Sequence, residues 1–366
     1  MGLLTILALL GGLVLLVSGG ETLVRGGSGL GRTLGLSPLV IGLTVVALAT
    51  SAPELAVSVD ASLRGSPGVA VGNVVGSNIT NVLLVLGVAA LVLPVAVGRT
   101  LVRVDAPVML ALSALFWLLV LDGTVGRWDG VLLVVLVLVY LGWSVRVARR
   151  APAEGVEQSA GDAAEEPARG PAVDALLVAV GVAMLVVGAR LLVGAATELA
   201  TAWGLSDLVI GLTVVAIGTS LPEVATSVVA ALKGQPDLAI GNVVGSCTMN
   251  LGLVMGTTAV VAPADGVPVE ASAVNFDVPF MVATALALLL VSATQRLVTR
   301  REGAVLVAYY VAYVAYLLLA SADHDALGAF STVMLGFVVP LTVVAALVSL
   351  RRSGTAAGRP TDRAGT

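Results

Sequence analysis

Apolar residues fill this chain in long runs, separated by short stretches where Arg, Asp, Gly, Ser and Pro collect. The runs are roughly 17 to 25 residues long, the length at which an α-helix crosses a hydrocarbon layer about 30 Å thick, and they do not alternate as barrel strands do. The pattern predicts a first set of spans at Leu3–Val24, Pro38–Leu63, Gly68–Val92, Val104–Leu121 and Trp128–Val147. A second set lies at Val173–Leu199, Ser206–Leu232, Leu238–Val261, Phe276–Val291 and Gly303–Leu319, followed by one more span at Leu327–Leu347. Between the sets, residues 151–172 are rich in Ala, Glu, Gly and Pro and hold no apolar run, the composition of a linker without regular structure.

The two sets are copies. Displaced by 169 residues, Gly35–Val92 aligns with Gly204–Val261, with 36 identities in 58 positions. Within the copies, GLTVVALATSAPE (Gly42 to Glu54) repeats as GLTVVAIGTSLPE (Gly211 to Glu223), and GNVVGSNITN repeats as GNVVGSCTMN. Each half holds five spans, an odd number, so equivalent helices cross the membrane in opposite directions. The predicted fold is an all-α polytopic membrane protein. Two inverted five-helix repeats (1–150 and 173–320) give ten core helices, followed by an eleventh helix within 321–350 and a polar cytoplasmic tail, 351–366.

Composition sharpens the class. Hydrophobic residues make up 58% and charged residues 11%, with a mean hydropathy of +1.05, which excludes an ordinary soluble domain. One Cys and one His exclude an internal disulfide and a histidine metal cluster, so a bound cation would be held by oxygen. With the N-terminus outside, 16 of the Lys and Arg residues fall on the inner side, only Arg64 and Arg127 fall outside, and Arg190 lies within a span. The positive-inside rule therefore puts the N-terminus outside and the C-terminus in the cytoplasm. The charge distribution forms no nucleic-acid surface; the partners are the lipid bilayer and small ions, and no oligomer is required.

The chemistry lies in the repeated motif. A Pro and a Glu in mid-span are both costly in hydrocarbon, and each occurs in both copies. Ala47, Thr50, Ser51, Glu54 and Ser58 recur at spacings of three and four, on one helical face. Pro53 has no N–H for the carbonyl of Ala49, and such freed carbonyls are tolerated only where they line a cavity. In the next span Asn73, Ser77 and Asn81 form a stripe. The second copy supplies Thr219, Ser220 and Glu223 with Pro222, then Asn242, Ser246 and Asn250. Asp105 and Asp277, each two residues before a Pro, read as helix N-caps.

Two carboxylates with hydroxyls, amides and carbonyls suit a hard cation. Ca²⁺ takes six to eight oxygens in irregular geometry, whereas Mg²⁺ keeps its waters. Two bidentate Glu would supply four oxygens and neutralise one Ca²⁺. Emptied, two desolvated carboxylates repel, so a proton or several Na⁺ would replace calcium. The serines favour Na⁺. This is the physical basis of exchange, not of hydrolysis, and the chain is read as a transporter with no resident cofactor rather than as an enzyme.

The paired motifs resemble the two α-repeats of the cation/Ca²⁺ antiporter superfamily, in particular its prokaryotic sodium/calcium exchangers. The resemblance implies ten core helices in the inner (plasma) membrane and alternating access by sliding of the first and sixth spans. It implies Ca²⁺ held by Glu54 and Glu223 with the backbone carbonyls of Thr50 and Thr219. It also implies flanking Na⁺ sites, one from Ala47, Thr50, Ser51, Glu54 and Ser77, the other from Ala216, Thr219, Ser220, Glu223 and Ser246. A central position is lined by Asn81 and Asn250. Some exchangers carry Asp at one of these two positions; here both are Asn, which keeps H⁺/Ca²⁺ and K⁺-dependent exchange as alternatives. Cys247 stands where the counterpart of Asn78 would be Asn.

Overall fold

The computed structural model describes residues 3–150, 170–202, 216–263, 266–322 and 324–340. The linker (apart from its last residues), the first part of the seventh span with Gly211–Val215, the end of the eleventh and the tail fall outside the described residues. The first half holds α1 (Leu3–Leu34), α2 in two pieces (Pro38–Thr50 and Ala52–Leu63), α3 (Pro67–Val92), α4 (Leu101–Asp122) and α5 (Arg127–Ala148). The second holds α6 (Pro171–Ala202), α7 (Ala216–Thr219 and Leu221–Leu232), α8 (Pro236–Val261), α9 (Ala273–Ala293), α10 (Arg300–Ser321) and α11, which starts at Ala326. Among the described residues eight helices are long and apolar enough to cross a membrane, nine with the bent pair of α2. The helix α1 runs ten residues past the predicted end at Val24, because Arg25 to Leu34 hold no Pro to stop it.

The share of each span that is buried shows where the centre lies. Within their most apolar stretches α8 is 94% buried and α3 78%, against 39% or less for α1, α4, α5, α6, α9 and α10, so α3 and α8 form the protein interior and the others face outward. Glycines let the halves interlock. A Cβ on Gly87 of α3 would lie 3.1 Å from the Gly303 carbonyl of α10, and one on Gly130 of α5 would lie 2.6 Å from that of Gly256 of α8. Backbone-to-backbone approach of this kind is how helices associate in lipid, where apolar burial gives no drive.

A second seam joins α1 to α6. Cβ atoms on Gly12, Gly19 and Gly26 would lie 2.8 Å from Gly188 O, 2.9 Å from Leu185 N and 2.7 Å from Asp174 O. Positions rising along α1 meet positions falling along α6, so these counterpart helices run antiparallel. Short strands tie the loops across the halves. Here β1 (Val95–Ala96) pairs antiparallel with β4 (Leu297–Val298), and β2 (Thr124–Gly126) with β3 (Gly266–Pro268). Glu21 accepts from Arg25, as its spacing predicts, and also from Lys233 of the other half, both at 2.9 Å.

Asp105 and Asp277 are not caps. Each has helical dihedrals and ends a wide π-helical turn, Leu101–Asp105 or Ala273–Asp277, just ahead of Pro107 or Pro279. The extra residue relieves the clash between the proline ring and the preceding turn. The carboxylates instead accept from the hydroxyls of Tyr140 (2.7 Å) and Tyr313 (2.9 Å), joining α4 to α5 and α9 to α10.

The seam between α1 and α6 gives a direct test. A Cβ on Gly181 would lie 2.6 Å from Leu23 N, whereas one on Gly194 of the same helix meets nothing within 4 Å. Gly181→Val should lower the thermal unfolding midpoint in detergent relative to Gly194→Val, by the equivalent of about 1–3 kcal/mol. Equal midpoints for the two variants would show that the close approach carries no stability.

Candidate cation site

Pro53 and Pro222 break α2 and α7 at the same place. Ser51 has ψ 0° and Ser220 ψ 4°, out of helical geometry, and the two pieces of α2 meet at 42°. Ser51 N–H still reaches the Ala47 carbonyl at 2.9 Å, and Leu55 N–H reaches that of Ser51 at 3.1 Å, but Pro53 offers nothing to Ala49. Each Glu then falls in the first turn of the following half-helix, Glu54 in Ala52–Leu63 and Glu223 in Leu221–Leu232. A carboxylate is favoured at that positive helix end, while the carbonyls that close the preceding half-helix present its negative end to a cation.

The predicted residues come together. Glu54 and Glu223 are fully buried, and their carboxylates lie within each other's electrostatic field. None of their four oxygens makes a short, well-aligned hydrogen bond among the described residues, although the Thr50 hydroxyl lies beside Glu223. The same holds for the hydroxyls of Ser51 and Ser220, both amide atoms of Asn81 and Oδ1 of Asn250. Outside this set, only Asp105, Thr226 and Ser292 have such atoms among the described residues. A buried polar atom without a partner costs about 1–3 kcal/mol and a charged one more, so the concentration of such atoms in the two repeated motifs makes them a candidate coordination set. No three His, Cys, Asp or Glu cluster among the described residues, so this set is two carboxylates with neutral oxygens, suited to hard cations.

Other predicted residues also fasten helices together. The Thr50 hydroxyl lies 3.2 Å from both Asn242 Oδ1 and Ser246 Oγ, which fastens α2 to α8. It also lies beside the Glu223 carboxylate, and its remaining lone pair and the Thr50 backbone carbonyl are both open to a cation. Ser77 is buried on α3, against which Ala216–Thr219 packs. Ala47 is buried against α8 at Gly245, and for Ala216 only the backbone is described. Asn73 donates to Ser58 Oγ at 2.9 Å and to the Glu54 carbonyl at 3.1 Å, and Asn242 donates to Ser227 Oγ at 3.0 Å. These asparagines are fasteners between adjacent helices. Ser227 was not singled out from sequence, although its identity with Ser58 in the alignment carries the signal.

The π-helical turns complete the walls. Asn81–Val85 of α3 packs against the half-helix of Glu223, and Asn250–Met255 of α8 against that of Glu54. Each Glu-bearing half-helix thus packs on the asparagine turn of the other half.

Broken spans around buried oxygen ligands define a polytopic membrane transporter, and comparison with known proteins specifies which kind. The chain belongs to the sodium/calcium exchanger protein family, whose pattern it matches over residues 4–146 and 173–319. It is 38% identical over 314 residues to a putative antiporter, CaxA, of Alkalimonas amylolytica, and 33% identical over 349 residues to the sodium/calcium exchanger MaX1 of Methanosarcina acetivorans; each match spans 85% of this chain and 97% of the relative. In structure it is similar to the sodium-calcium exchanger NCX_Mj, at 32% identity, covering 86% of this chain and 99% of that one. The TM-score is 0.72 against crystals soaked with Na⁺ and Ca²⁺, and 0.74 against crystals soaked with neither. The family is one of transporters, not enzymes.

Because both carboxylates are buried and Glu223 acts electrostatically on Glu54, Glu54→Gln should raise the unfolding midpoint of the ion-free protein in chelator at alkaline pH, by the equivalent of about 1 kcal/mol, and should abolish the further stabilisation by added Ca²⁺. A variant destabilised without ions, or still stabilised by Ca²⁺, would contradict this geometry.

Proposed function

We propose that this protein exchanges Ca²⁺ for Na⁺ across the cell (plasma) membrane by alternating access, with Glu54 and Glu223 sharing the calcium. The observation that carries this reading is the pair of buried carboxylates at the starts of two half-helices. Calcium takes both carboxylates and the backbone carbonyls of Thr50 and Thr219. Sodium takes two flanking sites, Ala47, Thr50, Ser51, Glu54 and Ser77 on one side and Ala216, Thr219, Ser220, Glu223 and Ser246 on the other, with Asn81 and Asn250 lining the centre. Both ions draw on the same carboxylates, so neither set is complete while the other is filled, and this competition couples the fluxes. The similarity to relatives named as sodium/calcium exchangers supports the same ion pair here.

The scaffold in this proposal is two inverted five-helix repeats, 1–150 and 173–320, joined by a cytoplasmic linker and followed by an eleventh helix within 321–350. The antiparallel course of α1 and α6 supports the inversion. So does the strand pairing, in which β1 and its counterpart β3 belong to different sheets. In this proposal the N-terminus lies outside and the C-terminus inside, which the cluster of Arg99, Arg103, Arg296 and Arg300 beside the β1–β4 sheet supports through the positive-inside rule.

The test is ⁴⁵Ca²⁺ uptake into proteoliposomes loaded with Na⁺, with K⁺-loaded and pH-gradient controls. Uptake should require internal Na⁺, and Glu54→Gln or Glu223→Gln should reduce it at least about 100-fold, the loss of a charged ligand being worth about 3 kcal/mol or more. Uptake driven by the pH gradient alone would make it a proton/calcium antiporter, and uptake that needs K⁺ together with Na⁺ a K⁺-dependent exchanger. Uptake intact in both variants would remove the carboxylates from the mechanism.

A further inference from the structure

The two asparagines of the central position do not have equivalent surroundings. Asn250 donates its Nδ2 to Oδ1 of Asn78 at 3.2 Å, a bond between α8 and α3. With its amide nitrogen occupied in that way, the side chain can present only Oδ1 in the opposite direction, and that oxygen is buried without a partner. The Asn250 turn packs against the half-helix that carries Glu54. Asn78 is itself held: its own Nδ2 points to Met281 Sδ at 3.5 Å, so its oxygen is the atom left for Asn250.

The counterpart of Asn78 in the second repeat is Cys247, displaced by the same 169 residues. Its thiol donates to the backbone carbonyl of Asn78 at 3.8 Å. Asn81 lies beside this sulfur and has it as a weak hydrogen-bond partner, while neither atom of its amide makes a closer hydrogen bond among the described residues. A thiol is a weak acceptor and supplies no amide oxygen of the kind that orients Asn250.

We infer that Asn78 is a positioning residue that turns the Asn250 carboxamide oxygen toward the ions, and that Cys247 gives the opposite amide, Asn81, only the weak hold of a thiol. One wall of the centre is then a fixed oxygen donor, and the other is a loosely held amide. The fixed donor lies outside the calcium set of Glu54, Glu223 and the Thr50 and Thr219 carbonyls, so it bears on the sodium-loaded state rather than the calcium-loaded one; the inference rests on the exchange reading. Groups behind first ligands often decide affinity in this manner, and their loss typically costs about 10–100-fold in metal affinity.

The test compares wild type, Asn78→Leu and Cys247→Asn in Na⁺-driven ⁴⁵Ca²⁺ exchange, recording half-saturation for each ion and the maximal rate. Removing the acceptor with Asn78→Leu should raise half-saturating Na⁺ about 10-fold and leave half-saturating Ca²⁺ within about 2-fold of wild type. Cys247→Asn supplies an amide acceptor to Asn81 and should lower half-saturating Na⁺ several-fold. It also keeps the inference testable if Asn78→Leu does not fold. Unchanged Na⁺ dependence in both variants would overturn the proposal, as would equal shifts for both ions with a lower maximal rate, the mark of a packing defect. A wild-type protein without Na⁺-driven exchange would instead overturn the exchange reading itself.

Discussion

Two like charges are buried without a short hydrogen bond to either, and the rest of the molecule makes that arrangement tolerable. Glu54 and Glu223 carry them, and all four of their oxygens lie in the protein interior. Hydrocarbon alone would not sustain this. What sustains it is a shell of oriented dipoles: the positive starts of two half-helices under the carboxylates, and hydroxyls and amides around them. The shell is held by neighbours that do not face the ions. Thr50 fastens α2 to α8, Asn73 fastens α2 to α3, and Asn242 fastens α7 to α8 while accepting from Thr50.

These fasteners follow from the duplication, and they differ from the site residues in one physical respect: their hydrogen-bonding capacity is spent within the protein. Asn73 with Ser58 and Asn242 with Ser227 are the same bond drawn twice. Where the copies diverge, the spent capacity diverges too. Asn78 accepts from Asn250, and its counterpart Cys247 offers Asn81 no comparable acceptor. A nearly symmetric cage thus acquires a stiff wall and a loose one from one substitution of amide by thiol.

Much of this was legible in the residues. A helix in lipid must satisfy its own backbone, so apolar run length fixes where helices lie, and a mid-span Pro-Glu fixes where they break. The clustering of Ser51, Glu54, Asn81 and their counterparts needed only helical spacing and the repeat. Other features depend on which helix meets which, and span patterns do not encode that. Asp105 and Asp277 have the spacing of caps, yet Tyr140 and Tyr313, on the following helices, take them as acceptors. Lys233 reaches Glu21 across more than two hundred residues of sequence. The Thr50 hydroxyl is a fastener as well as a candidate ligand, because Asn242 and Ser246 arrive beside it from the other half.

The crossed packing of the halves bears on how the chain is made. When the fifth helix has left the ribosome, the Gly87 face of α3 and the Gly130 face of α5 are complete as surfaces and still lack α10 and α8, which close on them at distances only bare backbone permits. Neither two-stranded sheet can form at that stage, since each takes one strand from each half. Until α8 and α10 are inserted those close-contact faces lack their partners, so the interior of the protein is complete only when both halves are present.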